Sequence, residues 1–104
     1  MSNWHKLCPI EEIPVQGARV VERRSANIAV FRAHDNTVFA ITDECPHKGG
    51  PLSAGIMHGH KVTCPLHAWN IDLTNGEACS PDAGCARTYA TRVDAGVVWL
   101  QVDA

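Results

Sequence analysis

Four residues in two short mixed pairs carry the chemistry this sequence offers: Cys45-Pro46-His47 and, further on, Cys64-Pro65-Leu66-His67. Each pair sets one thiolate and one imidazole on a tight turn, with Pro46 or Pro65 stiffening the backbone between them. Sixteen residues lie between His47 and Cys64. Fully extended they would hold the pairs roughly 50 Å apart, but Gly49, Gly50, Pro51, Gly55 and Gly59 permit the reversals that bring them face to face. Two thiolates and two imidazoles around one centre suit a tetrahedral zinc ion. They also suit a two-iron cluster in which one iron takes both thiolates and the other both imidazoles. Zinc motifs commonly pair Cys with Cys and His with His, whereas both clasps here are mixed with Cys first, which favours the iron cluster. A zinc-stabilised binding module is the competing reading.

The elements that must position these donors read as short strands. Branched and aromatic residues fall in runs at 19–23, 27–33, 38–42, 61–64, 69–72, 88–93 and 97–102. His34-Asp35-Asn36, Thr74-Asn75-Gly76 and Asp94-Ala95-Gly96 supply turn chemistry between them. Helical periodicity is weak, with at most a short turn around 9–13. Two stretches, 43–60 and 77–87, hold too much Gly and Pro for a ladder, and a domain this small spares such loops only for a task. The expectation is all-β: a small antiparallel β-sandwich with a cluster-binding subdomain of two loops. Residues 1–104 form one domain, with the cluster-binding part at about 43–87.

Composition narrows the partners. The chain has 104 residues, 45% hydrophobic and 19% charged, a globular balance. A net charge of -2 leaves no basic field for nucleic acid or an anionic membrane. No apolar run spans a bilayer, and Pro9, Glu11, Glu12 and Pro14 interrupt any secretory core near the N-terminus. Five cysteines without such a signal point to a reducing, cytoplasmic setting.

At these residues the chain resembles the Rieske iron–sulfur proteins. Cys45, His47, Cys64 and His67 match the cluster motif, followed by Asp72 and the Gly76-Glu77 turn. The run from Cys45 to Ala78, with Ser80-Pro81-Asp82-Ala83-Gly84-Cys85 after it, is similar to the small-subunit family of assimilatory NAD(P)H nitrite reductases. The similarity extends from about Trp4 to Val102. It implies one [2Fe-2S] cluster per chain, Cys45 and Cys64 on the buried iron, and His47 and His67 on the outer iron near the surface. It also implies one-electron transfer with no catalytic residue on this chain. The implied partner is a large flavin and sirohaem subunit that reduces nitrite to ammonium; a stand-alone ferredoxin feeding a ring-hydroxylating oxygenase is the alternative.

Departures from the wider superfamily have consequences. The respiratory members carry a cysteine pair bridging the cluster loops where this chain has Gly50 and Leu66, so that bridge cannot form. They also carry Ser and Tyr hydroxyls where this chain has Trp69 and Ile71. Hydroxyl donors stabilise the extra charge of a reduced cluster, so the midpoint is expected in the lower part of the roughly -150 to +300 mV Rieske range, measurable by protein-film voltammetry. Among the other residues, His58 and His60 read as solvent-exposed hairpin-tip positions and Cys8 as a packing residue. Cys79 and Cys85 read as buried or half-buried thiols. Trp4, Trp69 and Trp99 read as core or interface anchors, with Trp69 close enough to His67 to shield the cluster. Asp72 reads as a structural hydrogen-bond acceptor.

Overall fold

The computed structural model describes residues 4–24, 26–46, 50–66, 68–79 and 84–102. Among the described residues, ten strands form three antiparallel sheets. The first sheet is β1 (Trp4–Pro9), β10 (Val97–Gln101) and β9 (Thr91–Asp94), in that spatial order. The second runs β2 (Gly17–Val21), β3 (Ile28–Arg32), β4 (Val38–Thr42), β8 (Thr88–Tyr89). The third is β5 (Ile56–His58), β6 (Lys61–Thr63), β7 (Asn70–Asp72).

The layering follows from one run of sequence. Ile28-Ala29-Val30-Phe31 is continuously apolar, the pattern of a strand covered on both faces. All four residues are buried, and strand alternation sends them to opposite sides. Ile28 and Val30 join Cys8, Ile13, Val38, Ala40, Val98 and Leu100 in a core against the first sheet. Ala29 and Phe31 join Ile41, Leu52, Met57, Val62, Ile71 and both Cys45 and Cys64 in a core against the third sheet. The second sheet is therefore the middle layer, and the two candidate thiols lie on its far side. Each large apolar side chain so covered contributes about 1.5–3 kcal/mol.

The expected all-β class and antiparallel sandwich hold, and a 3-10 turn at Ile10–Glu12 fills the place expected for a short turn. Several boundaries need correcting. β1 occupies residues given no strand, because Trp4-His5-Lys6-Leu7 has little of the branched character that marks strands; pairing with β10 decides it. β5 lies inside the stretch read as irregular, formed where Ile56-Met57-His58 pairs with Lys61–Thr63 across a Gly59 turn at φ 61°. The run 88–93 is broken at Ala90, so β8 stays with the middle sheet while β9 crosses to the first.

Turn residues hold the sheets together. Asp35 accepts the Thr37 N–H at 3.0 Å within the β3–β4 hairpin and meets His60 Nε2 at 3.0 Å, tying that hairpin to the β5–β6 turn. Asp72 accepts both the Thr74 N–H and the Thr74 hydroxyl, at 2.9 and 2.6 Å, confirming its structural role. Bonds from the Thr37 hydroxyl and then the Thr37 N–H, followed by His60, hold the Asp35 carboxyl below the usual carboxylate range. The Thr74 bonds do the same for Asp72. A depressed folded-state pKa adds stability that is present above the unfolded value, near pH 4, and is lost as pH falls further. Thermal melts are thus expected to be flat from about pH 7 to about pH 5 and to drop below about pH 4, with Asp72→Asn weakening that drop.

Candidate metal centre

Cys45 follows β4 and Cys64 follows β6 directly, so two strands of neighbouring layers deliver the two thiols. Both are buried, at 3% and 1% exposure. They are also neighbours. Burial pushes the Cys64 thiol up, the Leu66 N–H bonded to it pulls it down, and the adjoining Cys45 thiol raises it further.

The two cysteine segments close in the same way. The Cys45 N–H donates to Gly50 O at 2.8 Å, and the Cys64 N–H donates to Trp69 O at 2.7 Å. Each bond reaches five residues ahead, and in sequence the first span holds His47 and the second His67. Both histidines lie outside the described residues, so the structure places the two thiols and the closures around them. Directly after His67, Ala68 adopts φ 56°, a left-handed conformation that costs a non-glycine residue about 1 kcal/mol and often accompanies functional turns.

Gly50 lets the two segments meet. A Cβ there would lie 2.7 Å from Leu66 Cδ1 and 3.6 Å from Cys64 Sγ, so the backbone of one segment sits directly against the other. The two positions that lack the bridging cysteines are thus in contact, and glycine against leucine packs where a disulfide would link. A third stretch returns to the same place. A Cβ on Gly84 would lie 3.1 Å from Pro46 Cβ, and the Ala78 N–H donates to Gly84 O at 2.8 Å.

Asp43 was not anticipated. It is nearly buried, accepts the Ser53 N–H and the Ser53 hydroxyl at 2.7 Å each, and donates its own N–H to Asn27 O. These bonds clamp the 3-10 turn Leu52–Ala54 to the end of β4 and so fix both flanks of the Cys45 segment. The partners are ten residues apart on different elements, a spacing with no local signature. Asp43→Ala is expected to cost about 2 kcal/mol, since it removes two bonds and strands a half-buried hydroxyl, and Ser53→Ala about 1 kcal/mol, by denaturant titration.

The remaining residues sort as follows. Cys8 is buried in the first-sheet core, as expected. His58 is exposed and His60 half-buried, and both have partners: His58 Nε2 lies 2.8 Å from Thr63 Oγ1 and His60 meets Asp35. Cys79 is half-buried, but Cys85 is exposed, because its bridge with Glu77 turns it to the solvent side; both thiols are free. Trp69 packs against the core that contains the two buried thiols. Trp4 and Trp99 lie half-buried, with their ring centres 4.9 and 5.6 Å from the Arg92 guanidinium.

Comparison with known proteins agrees with this geometry. The model of the Rieske [2Fe-2S] domain matches residues 3–90. The 3-phenylpropionate/cinnamic acid dioxygenase ferredoxin subunit of Photorhabdus laumondii is 36% identical over 99 residues, covering 93% of this chain and 92% of the relative. Among solved structures, the E. coli protein NirD has a TM-score of 0.84 at 28% identity, with all of both chains covered. A protein proposed to be the NADPH nitrite reductase small subunit has a TM-score of 0.80 at 26% identity, covering 93% of this chain and 96% of that one.

Proposed function

From the premise that the chain belongs to the Rieske [2Fe-2S] family, an electron-transfer protein of oxidoreductase systems, we propose that it is the small subunit of an assimilatory NAD(P)H nitrite reductase. Family membership decides between the two metals the donor set admits: the cofactor is a Rieske-type [2Fe-2S] cluster. The residues fit it. Two neighbouring thiols lie out of water, a backbone N–H already points at one of them, and Gly50 keeps the space beside Cys64 free of a side chain.

Cys45, His47, Cys64 and His67 are the proposed ligands, held within a single domain of residues 1–104 by the part from about 43 to 87. Bound there, the cluster takes up and releases one electron at a time. The protein's share is to exclude water around Cys45 and Cys64, to donate the Leu66 N–H to Cys64 Sγ, and to hold the two segments against each other through Gly50 and Leu66.

The observation that carries the nitrite reductase reading is the run through both clasps into Pro81-Asp82-Ala83-Gly84-Cys85. Support comes from the nearly full-length match to the structure of the protein proposed to be the NADPH nitrite reductase small subunit. The partner is then the flavin and sirohaem large subunit, and the setting cytoplasmic. The 36% identity to a dioxygenase ferredoxin favours a second reading, in which the chain supplies a ring-hydroxylating oxygenase. Reconstitution separates them. Nitrite-dependent NAD(P)H oxidation by a large subunit is expected to require this chain; if the chain instead supports only oxygenase turnover, the nitrite reductase reading is wrong.

A further inference from the structure

The first and second sheets part along one side. β1 and β2 are each the outermost strand of their sheet and do not pair with one another. At the other edge of the first sheet, β9 is tied to the second by the Thr91 hydroxyl, which donates to Val38 O at 2.7 Å. On the parted side opens a pocket of about 290 Å³. One part of its wall is apolar: Leu100 is buried, and Leu7, Val21 and Val102 are partly buried against the same core. The rest of its wall carries nitrogen groups, with His5 and Lys6 exposed and Arg23 half-buried.

We propose that this pocket binds a small amphiphilic anion, a medium-chain aliphatic carboxylate, with its hydrocarbon against the apolar wall and its carboxylate at Lys6 and Arg23. The charge of the lining selects the head group. The chain carries 9 Lys and Arg against 11 Asp and Glu, yet the pocket gathers two of those cations and no acidic side chain among the described residues. Lys6 makes no ion pair among the described residues, so its ammonium is open to an anion. An amphiphilic cation of the same length would meet like charge there. The apolar wall selects the tail, because only a hydrocarbon group gains by covering Leu7, Val21 and Val102. The volume sets the size: it lies near the lower end of small-molecule sites, room for one short chain. The site is separate from the proposed centre, since its apolar wall belongs to the core on the opposite face of the middle sheet from Cys45 and Cys64. A ligand held there spans two free sheet edges and so stabilises the sandwich in proportion to its occupancy.

The test titrates octanoate into the cluster-loaded chain and follows heat, amide NMR shifts and the melting temperature. Binding is expected with a Kd below about 1 mM, with shifts centred on Leu7, Val21 and Val102 and a melting temperature that rises with octanoate. Octylammonium is expected to bind at least about tenfold more weakly. Lys6→Glu should weaken octanoate about tenfold, and Val21→Trp, which fills the pocket, should abolish binding. Lys61→Glu reverses an exposed cation on β6, away from the pocket, and should leave the Kd unchanged. The visible spectrum reports that each variant is folded and loaded, and Lys6→Glu, at an exposed position, carries the test if Val21→Trp does not fold. Five results would each overturn the proposal: no binding at about 5 mM octanoate, equal affinity for octylammonium, equal effects of the two glutamates, binding only to anionic vesicles, or a dimer of this chain that Lys6→Glu dissolves.

Discussion

Cys64→Ala is expected to yield a folded but colourless protein that no longer supports electron transfer. The thiol is 1% exposed, lies beside Cys45 and is one of the two thiolates proposed to hold the buried iron. Its removal leaves that iron one protein ligand, which is too few to retain the cluster. Cys8→Ala separates this loss from ordinary packing. Cys8 is buried to a similar degree, at 4%, but in the core on the other side of the middle sheet. It should lose about 1 kcal/mol and stay coloured, whereas Cys64→Ala loses the visible absorbance and the reduced-state EPR signal. Reconstituted with a large subunit, the colourless variant should fail to drive nitrite reduction by NAD(P)H. Full activity without the cluster would leave the chain an assembly role only.

The second large effect is on stability. Gly76→Ala is expected to destabilise the fold by roughly 3 kcal/mol, lowering the melting temperature by more than about 10 °C. Gly76 has φ 76°, and a Cβ there would lie 2.1 Å from the Ala86 carbonyl oxygen. That oxygen belongs to backbone and cannot swing aside. The Gly76 N–H donates to Asp72 O and its carbonyl accepts the Ala86 N–H, both at 2.7 Å, so the strain falls on the two hydrogen bonds that anchor the return stretch ending against Pro46. Gly59→Ala is the control. Gly59 has a similar φ of 61° but nothing within 4 Å of an added Cβ, so only the conformational cost of about 1 kcal/mol should appear.

How far the sequence discloses this molecule depends on whether a feature is local. The mixed Cys and His clasps stand out because both donors of each pair share one turn. β3 and β4 stand out because a short apolar run bounded by turn residues marks a strand with both faces covered. The hairpin at Asp94-Ala95-Gly96 is equally legible, with Ala95 and Gly96 at φ 51° and 78°. What stays hidden is set by partners distant in the chain. β1 becomes a strand through β10, about ninety residues away. The Asp43 clamp needs Ser53 on another element, and the exposure of Cys85 follows from a bridge to Glu77. Side-chain type alone also left Trp4 and Trp99 open between core and interface; they lie half-buried against Arg92.

The pairing of β4 with β8, through Ala40 with Tyr89 and Ile41 with Thr88, has an evolutionary reading. Everything between them, the stretch proposed to bind the cluster, leaves and re-enters the frame at adjacent points on one sheet. Such a stretch behaves as a cassette: its loops can lengthen, shorten or change ligands without shifting the register of the strands outside it. Exchange is permitted, but deletion is not. Ala29, Phe31 and Ile41 face into the cassette's core, and an empty frame would bare that side of the middle sheet to water. Diversification in this architecture is therefore expected to proceed by swapping the cassette's contents while the apolar lining on β3 and β4 is kept.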